Sequence, residues 1–281
     1  MKPIREQFML ITGSTDGIGK IAAQRLAKLG ASVLLHGRDP EKCRKVRDAI
    51  WKSSGNPKLE YFVADFSSLS DVRHMAAAVR ESYERLDVLV NNAGVLPAES
   101  QKQERHLSAQ GYDLCLAVNY LAPFLLTHLL LPVLRTSSAA RIINVGSAAQ
   151  EAVDFNDLMI AHDYSPMRAY SRSKLALTMF TFELDERLKD ENVTVNCVHP
   201  GTLLDTKMVR RAFTQPLGSA ESGAEVEVYL ATAPELESVS GAYFDRRQHA
   251  QAHPQAYDRL AREKLWQLSL ELTDLATHLN Q

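Results

Sequence analysis

Short apolar runs, many of them β-branched, alternate along this chain with longer stretches whose apolar residues recur every three or four positions. The short runs predict strands at 8–12, 32–36, 59–64, 88–91, 141–145, 194–198 and 242–244. The helical spacing predicts helices near 18–29, 41–52, 69–85, 109–135, 169–189 and 220–231. Such alternation implies parallel strands joined by crossover helices. Nearly continuous apolar strands, as in Val88-Leu89-Val90, suit a sheet covered on both faces. The expected fold class is therefore α/β: a Rossmann-type, doubly wound parallel sheet of about seven strands flanked by helices. With 281 residues the chain can bury one large core, so residues 1–281 read as a single domain. The tail at 254–279 carries Tyr257, Leu260, Leu265, Leu268 and Leu272 at roughly helical spacing. It reads as a helix packed on the body, and walling a substrate pocket is the sharper alternative.

Composition narrows the function classes. A formal net charge of −2 leaves no electrostatic footprint for nucleic acid. Cys43, Cys115 and Cys197 are spaced for neither a disulfide framework nor a zinc site, which favours a reducing compartment and a cytoplasmic enzyme. The N-terminus has no long apolar stretch, and the apolar run 121–134 falls short of a membrane span and is interrupted by His128. No membrane anchor is expected.

Two motifs bring chemistry. Thr12-Gly13-Ser14-Thr15-Asp16-Gly17-Ile18-Gly19 lies between a predicted strand and a predicted helix. In that context glycines permit a tight turn and close backbone approach to a pyrophosphate at a helix N-terminus. Farther along, Tyr170 and Lys174 are four residues apart in a predicted helix and so share a face. An ammonium beside a phenol favours the phenolate, which is expected to pull the Tyr170 pKa down and make it a general acid/base.

These motifs, with Asn91-Asn92-Ala93-Gly94, Asn119, Ser147 and Pro200-Gly201 in that order, resemble the short-chain dehydrogenase/reductase family over about 8–273. Within it, segments such as 119–127, 195–201 and 240–244 are similar to the retinol dehydrogenase and WW-domain oxidoreductase branch. The resemblance implies hydride transfer between nicotinamide and a carbonyl or alcohol. It assigns the proton to Tyr170, and Lys174 to lowering that tyrosine's pKa and bonding the nicotinamide ribose. Ser147 would hydrogen-bond the substrate oxygen, and Asn119 would kink a helix and hold a water near Lys174. On the cofactor, the resemblance sets Gly13, Ser14, Thr15, Asp16, Gly17, Ile18 and Gly19 at the phosphates. Asp65 and Phe66 would meet the adenine, although Asp65 also reads as a helix N-cap. Asn92, Ala93 and Gly94 would meet the adenine ribose, Pro200, Gly201 and Thr202 the carboxamide, and Thr206 the phosphates. Family members often dimerise through the helices corresponding to 109–135 and 169–189, so a homodimer is one expectation.

The end of the second strand argues for NADP over NAD. Gly37 stands where an NAD enzyme usually has a carboxylate, and Arg38 can grip a 2′-phosphate. Ser14 can add a hydroxyl donor. Asp39-Pro40-Glu41 reads as a helix start. The segment 148–168 is either a loop over an apolar substrate or a surface excursion, and 203–219 corresponds to a mobile lid. His199, His249 and His253 lack a supporting cluster, so no metal is expected. The chain thus reads as an NADP-dependent oxidoreductase of a small-molecule carbonyl or alcohol, of hydrophobic character. A reductase of a carbon–carbon double bond and a non-catalytic dinucleotide sensor remain the alternatives.

Overall fold

The computed structural model describes residues 2–97, 104–213 and 215–275. The apolar run at the N-terminus forms β1 (Phe8–Ile11), which leads through the glycine-rich turn into α1 (Gly17–Lys28). Asp16 caps that helix, its carboxylate accepting from the Gly17 N–H at 3.0 Å. β2 (Ser32–Gly37) is buried at all six positions and is followed by α2 (Pro40–Ser54). Asp39 caps α2 and Pro40 opens it, as the sequence predicts. Next come β3 (Leu59–Val63), α3 (Leu69–Ser82) and β4 (Val88–Asn91).

The predicted helix at 109–135 is a correction. Its first turn is α4 (Leu114–Leu116), a π-helical segment follows at Ala117–Leu121, and α5 (Ala122–Arg135) completes it. Asp113 sets the start by accepting from the Leu116 N–H, so 109–113 lies outside the helix. Together these form a continuous run, Leu114–Arg135, long and apolar enough to cross a membrane, but 83% of its apolar window is buried in the protein. It is a core helix here, and it starts five residues later than the sequence predicts.

The rest is β5 (Ala140–Val145), α6 (Pro166–Arg187), β6 (Val193–His199), α7 (Lys207–Ala212), α8 (Ala220–Thr232), β7 (Tyr243–Asp245), β8 (Gln248–His249) and α9 (Arg259–Leu272). Among the described residues the sheet has eight strands, one more than expected, in the order β3-β2-β1-β4-β5-β6-β7-β8. All pairings are parallel except the short β7–β8 hairpin. One core layer gathers α3, α5, α6 and α9 on one face, and the other gathers α1, α2 and α8. Because strand order reverses between β1 and β4, a crevice opens at their carboxyl ends, where ligands bind in such sheets.

The tail begins with a turn at Pro254–Tyr257 and packs as α9 against α6. Trp266 sits 5.3 Å from Phe124 and 4.9 Å from His128, ring to ring. The part of the predicted tail helix at 276–279 lies outside the described residues, as does position 214 of the predicted lid.

Candidate active site

A cavity of about 520 Å³ occupies the crevice at the switch point. Its floor is the turn after β1, held by Thr12. The Thr12 hydroxyl donates to the Val90 carbonyl and accepts from the N–H groups of Asn92 and Ala93, both at 2.9 Å. The Asn92 amide returns a bond to the Thr12 carbonyl at 2.7 Å, while Asn91 braces β4 against Asn144 and Thr127. Gly13 has φ +66° and an added Cβ there would lie 2.8 Å from Ala93 Cα, so only glycine fits.

Gly13, Thr15, Asp16, Gly17, Ile18 and Gly19 line this end of the cavity, with Arg38, Asp65 and Phe66 on the adjoining wall. Asp16 also joins Lys42 and Lys207, each 2.9 Å away, and these cations, outweighing the effect of burial, hold its carboxyl down at about 2. Asp65 accepts from Ser67 at 2.8 Å and 2.9 Å, but the N-cap of α3 is Ser68, so the capping alternative for Asp65 does not hold. Ser14 is a second correction. It is fully buried and does not line the cavity, because its hydroxyl accepts from the His36 N–H at 2.9 Å.

The other end of the cavity is lined by Ser147, Tyr170 and Lys174, with Ala93 and Gly94 between the two ends. Pro200, Gly201, Thr202 and Thr206 also line the cavity. Thr206 caps α7, and its methyl carbon would be 3.4 Å from a Cβ placed on Gly17. Ser147 is positioned by three bonds: its hydroxyl accepts from the Ala149 N–H at 3.0 Å, and its carbonyl from the Tyr243 hydroxyl and the Gln150 side-chain amide, both at 2.9 Å. Tyr243 carries no local sequence signal for this role, since 96 residues separate it from Ser147.

Asn119 lies in the π-helical segment and is fully buried behind the cavity wall. Its side chain accepts from Val95 N–H at 2.7 Å and donates to the Val95 carbonyl and to Ser173 at 3.0 and 2.9 Å. An added Cβ at Gly94 would stand 3.3 Å from Asn119 Oδ1 and 3.5 Å from Lys174 Nζ. The wall is therefore thin, and glycine keeps it open.

The electrostatics depart from expectation. Burial pushes the Tyr170 hydroxyl above its usual 10, with a hydrogen bond from the Ser147 side chain acting the other way. Lys174 does not offset that burial: its Nζ donates to the Val145 carbonyl at 2.7 Å and stands 5.6 Å from the Tyr170 ring centroid. Burial also lowers Lys174 itself to about 8. On α8, Glu227 is buried with both oxygens lacking a hydrogen-bond partner, and burial raises it to about 8.

The loop between Ser147 and α6 folds away from the cavity. Glu151 pairs with Arg168 and Arg172, and Val153 exchanges hydrogen bonds with the Gln255 side chain at 2.7 and 3.0 Å. Of the segment 148–168, only Ala148 and Ala149 at its start and Met167 in the first turn of α6 reach the cavity, among the described residues. The lid segment does reach it, through Leu203, Leu204, Met208, Val209 and Phe213. No described residue of 254–275 lines the cavity, so the tail is packing rather than pocket wall. The three histidines are engaged separately: His199 with Thr202, His249 on the Phe244 ring, and His253 with the Gln255 N–H.

A sheet of this order with a glycine turn at its switch point defines a dinucleotide-binding fold. The chain belongs to the short chain dehydrogenase family, whose model matches residues 7–217. It is 39% identical to mouse (Mus musculus) "Retinol dehydrogenase 13" over 285 residues, covering 95% of this chain and 84% of that one. It is 33% identical to human (Homo sapiens) "Polyprenol dehydrogenase", covering 96% and 86%. Among solved structures, an Escherichia coli CFT073 protein described as a short chain dehydrogenase, complexed with NADPH, superposes with a TM-score of 0.71 at 28% identity, covering 86% and 97%. The enzyme is an oxidoreductase of the NAD(P)-using kind.

Proposed function

We propose that this enzyme transfers a hydride between NADP and a carbonyl or alcohol on a hydrophobic small molecule, with Tyr170 as the general acid/base. The observation that carries the reading is one cavity with two ends: Ser147, Tyr170 and Lys174 at one, and the glycine turn with Arg38 at the other. The residues fit a dinucleotide. Gly13 and Gly94 permit close backbone approach, α1 presents its N-terminus, and Arg38 supplies a cation at the adenine end.

When bound, the nicotinamide supplies or accepts the hydride. In reduction, the Ser147 hydroxyl donates to the carbonyl oxygen and stabilises the charge that develops there. Tyr170 gives that oxygen its hydroxyl proton as the carbon–hydrogen bond forms, and it takes the proton back in oxidation. Lys174, as an ammonium, stabilises the phenolate left behind. Asn119 holds the loop at Val95, which lines the cavity beside this pair. Met167, Met208 and Phe213 give the substrate end its apolar lining, and the names of the retinol and polyprenol dehydrogenases agree with that character.

The test is oxidation of NADPH by the purified protein across aromatic, aliphatic and retinoid aldehydes, with an α,β-unsaturated ketone as the double-bond control. Carbonyl-dependent oxidation yielding the alcohol supports the reading. NADPH binding without turnover on any member, or reduction of the double bond alone, overturns it.

A further inference from the structure

His36 ends the apolar run of β2, where periodicity alone reads it as a core residue. The imidazole is 3% exposed. Nδ1 accepts from the Gly13 N–H at 3.0 Å, and Nε2 lies 3.1 Å from the Ala64 carbonyl. A carbonyl only accepts, so the Nε2 atom carries the proton and Nδ1 keeps its lone pair. The ring stacks on Phe66, with centroids 4.2 Å apart and planes at 22°. The backbone of the same residue clasps Ser14, its N–H donating to the hydroxyl and its carbonyl accepting the Ser14 N–H, both at 2.9 Å.

Gly13 opens the phosphate turn, and Ala64 and Phe66 flank Asp65 on the adjoining wall. These segments come from different strands, and one imidazole bonds to both. We propose that His36 is a positioning residue for the cofactor, its neutral ring holding the glycine turn and the exit of β3 at the separation a dinucleotide requires. The inference rests on the oxidoreductase reading above.

Burial keeps the ring neutral, lowering it to about 4 against the smaller opposing effects of the Ala64 carbonyl bond and the Asp65 charge. Gly13 and Ser14 on the turn, Ala64 and Phe66 on the wall carry no charge. A proton on Nδ1 would set one N–H against the Gly13 N–H. Protonation of His36 therefore opposes cofactor binding, and each must weaken the other by the same factor.

The experiment is titration of NADP⁺ into the wild type, His36→Phe and His36→Asn, with steady-state kinetics alongside. His36→Phe keeps a ring on Phe66 but leaves the Gly13 N–H and Ala64 carbonyl unpaired. It should weaken NADP⁺ by about tenfold or more, the usual effect of orphaning buried polar groups, with the loss falling on KM for cofactor far more than on kcat. His36→Asn, whose amide oxygen can take the Gly13 N–H, should recover most of that loss. On the wild type, a long-range proton–nitrogen spectrum of the imidazoles should show His36 as the Nε2–H tautomer, with a pKa that falls when NADP⁺ is added. An Nδ1–H tautomer, a pKa unmoved by cofactor, or wild-type affinity in a folded His36→Phe overturns the inference alone. Should His36→Phe not fold, the two wild-type spectroscopic readouts still decide. A wild type that binds no NADP⁺ overturns the oxidoreductase reading and this one with it.

Discussion

The Lys174 ammonium and the Tyr170 ring share one side of α6 with nitrogen and ring centroid 5.6 Å apart, yet the lysine donates to the Val145 carbonyl rather than to the phenol. Burial opposes charge on both groups, so Tyr170 holds its proton in the cofactor-free enzyme. That proton is what reduction needs, and oxidation needs the phenolate. Rates of carbonyl reduction should therefore hold steady through neutral pH, while alcohol oxidation climbs into the alkaline range. Measuring kcat/KM against pH in both directions checks this. An oxidation rate already at its plateau below neutral pH contradicts it.

Arg38 lines the cavity at the end of β2, where a 2′-phosphate would reach it. Replacing it by alanine removes a charge-assisted bond of about 1.5–3 kcal/mol. NADP binding should weaken by roughly tenfold to a hundredfold and NAD binding by no more than about twofold. Parallel titration of both cofactors decides; tighter NAD binding by the wild type would sink the NADP assignment.

Gly37 leaves little room for any side chain. An added Cβ would stand 2.5 Å from the Thr15 methyl and 2.9 Å from Cys43 Sγ. Gly37→Asp, the obvious change toward NAD, should lower stability by about 1–3 kcal/mol through overpacking instead of switching preference. Denaturant melts with cofactor titrations separate the outcomes, and a stable, NAD-preferring variant would refute the packing argument.

The alternation of strands and helices, the cap at Asp39 and the glycine turn were all legible in the sequence, because each is a local signal. What escaped depends on distant partners. Ser14 looks like a phosphate ligand until β2 takes its hydroxyl, 22 residues away. The loop after Ser147 looks like a substrate cover until Gln255, 102 residues on, exchanges bonds with Val153. Tyr170 and Lys174 were correctly placed on one face, but burial, which reverses the expected direction of the tyrosine's shift, has no periodicity to betray it. The π-helical segment around Asn119 is equally silent, being made of residues that read as ordinary helix.

Glu227 carries a stability prediction. Its folded pKa, about 8, lies above the ordinary 4.5 because burial disfavours the carboxylate. A raised acid binds its proton more tightly when folded, so its contribution is intact below the unfolded pKa and is lost as pH rises from 4.5 through about 8. Glu227→Gln, which cannot ionise, should be more stable than wild type by a few kcal/mol above that window and should lose the advantage in acid. Thermal melts of both proteins across this range test it; a pH-independent difference contradicts the buried neutral acid.

Whether Tyr170 moves the proton is measured most directly by single-turnover NADPH oxidation with Tyr170→Phe on a carbonyl that the wild type reduces. The ring and its packing remain while the transferable proton is gone. The chemical step should slow by about two to four orders of magnitude, with NADPH affinity largely retained. A variant that keeps more than about a tenth of the wild-type rate, far above the loss expected for a positioned acid, would contradict that role for Tyr170.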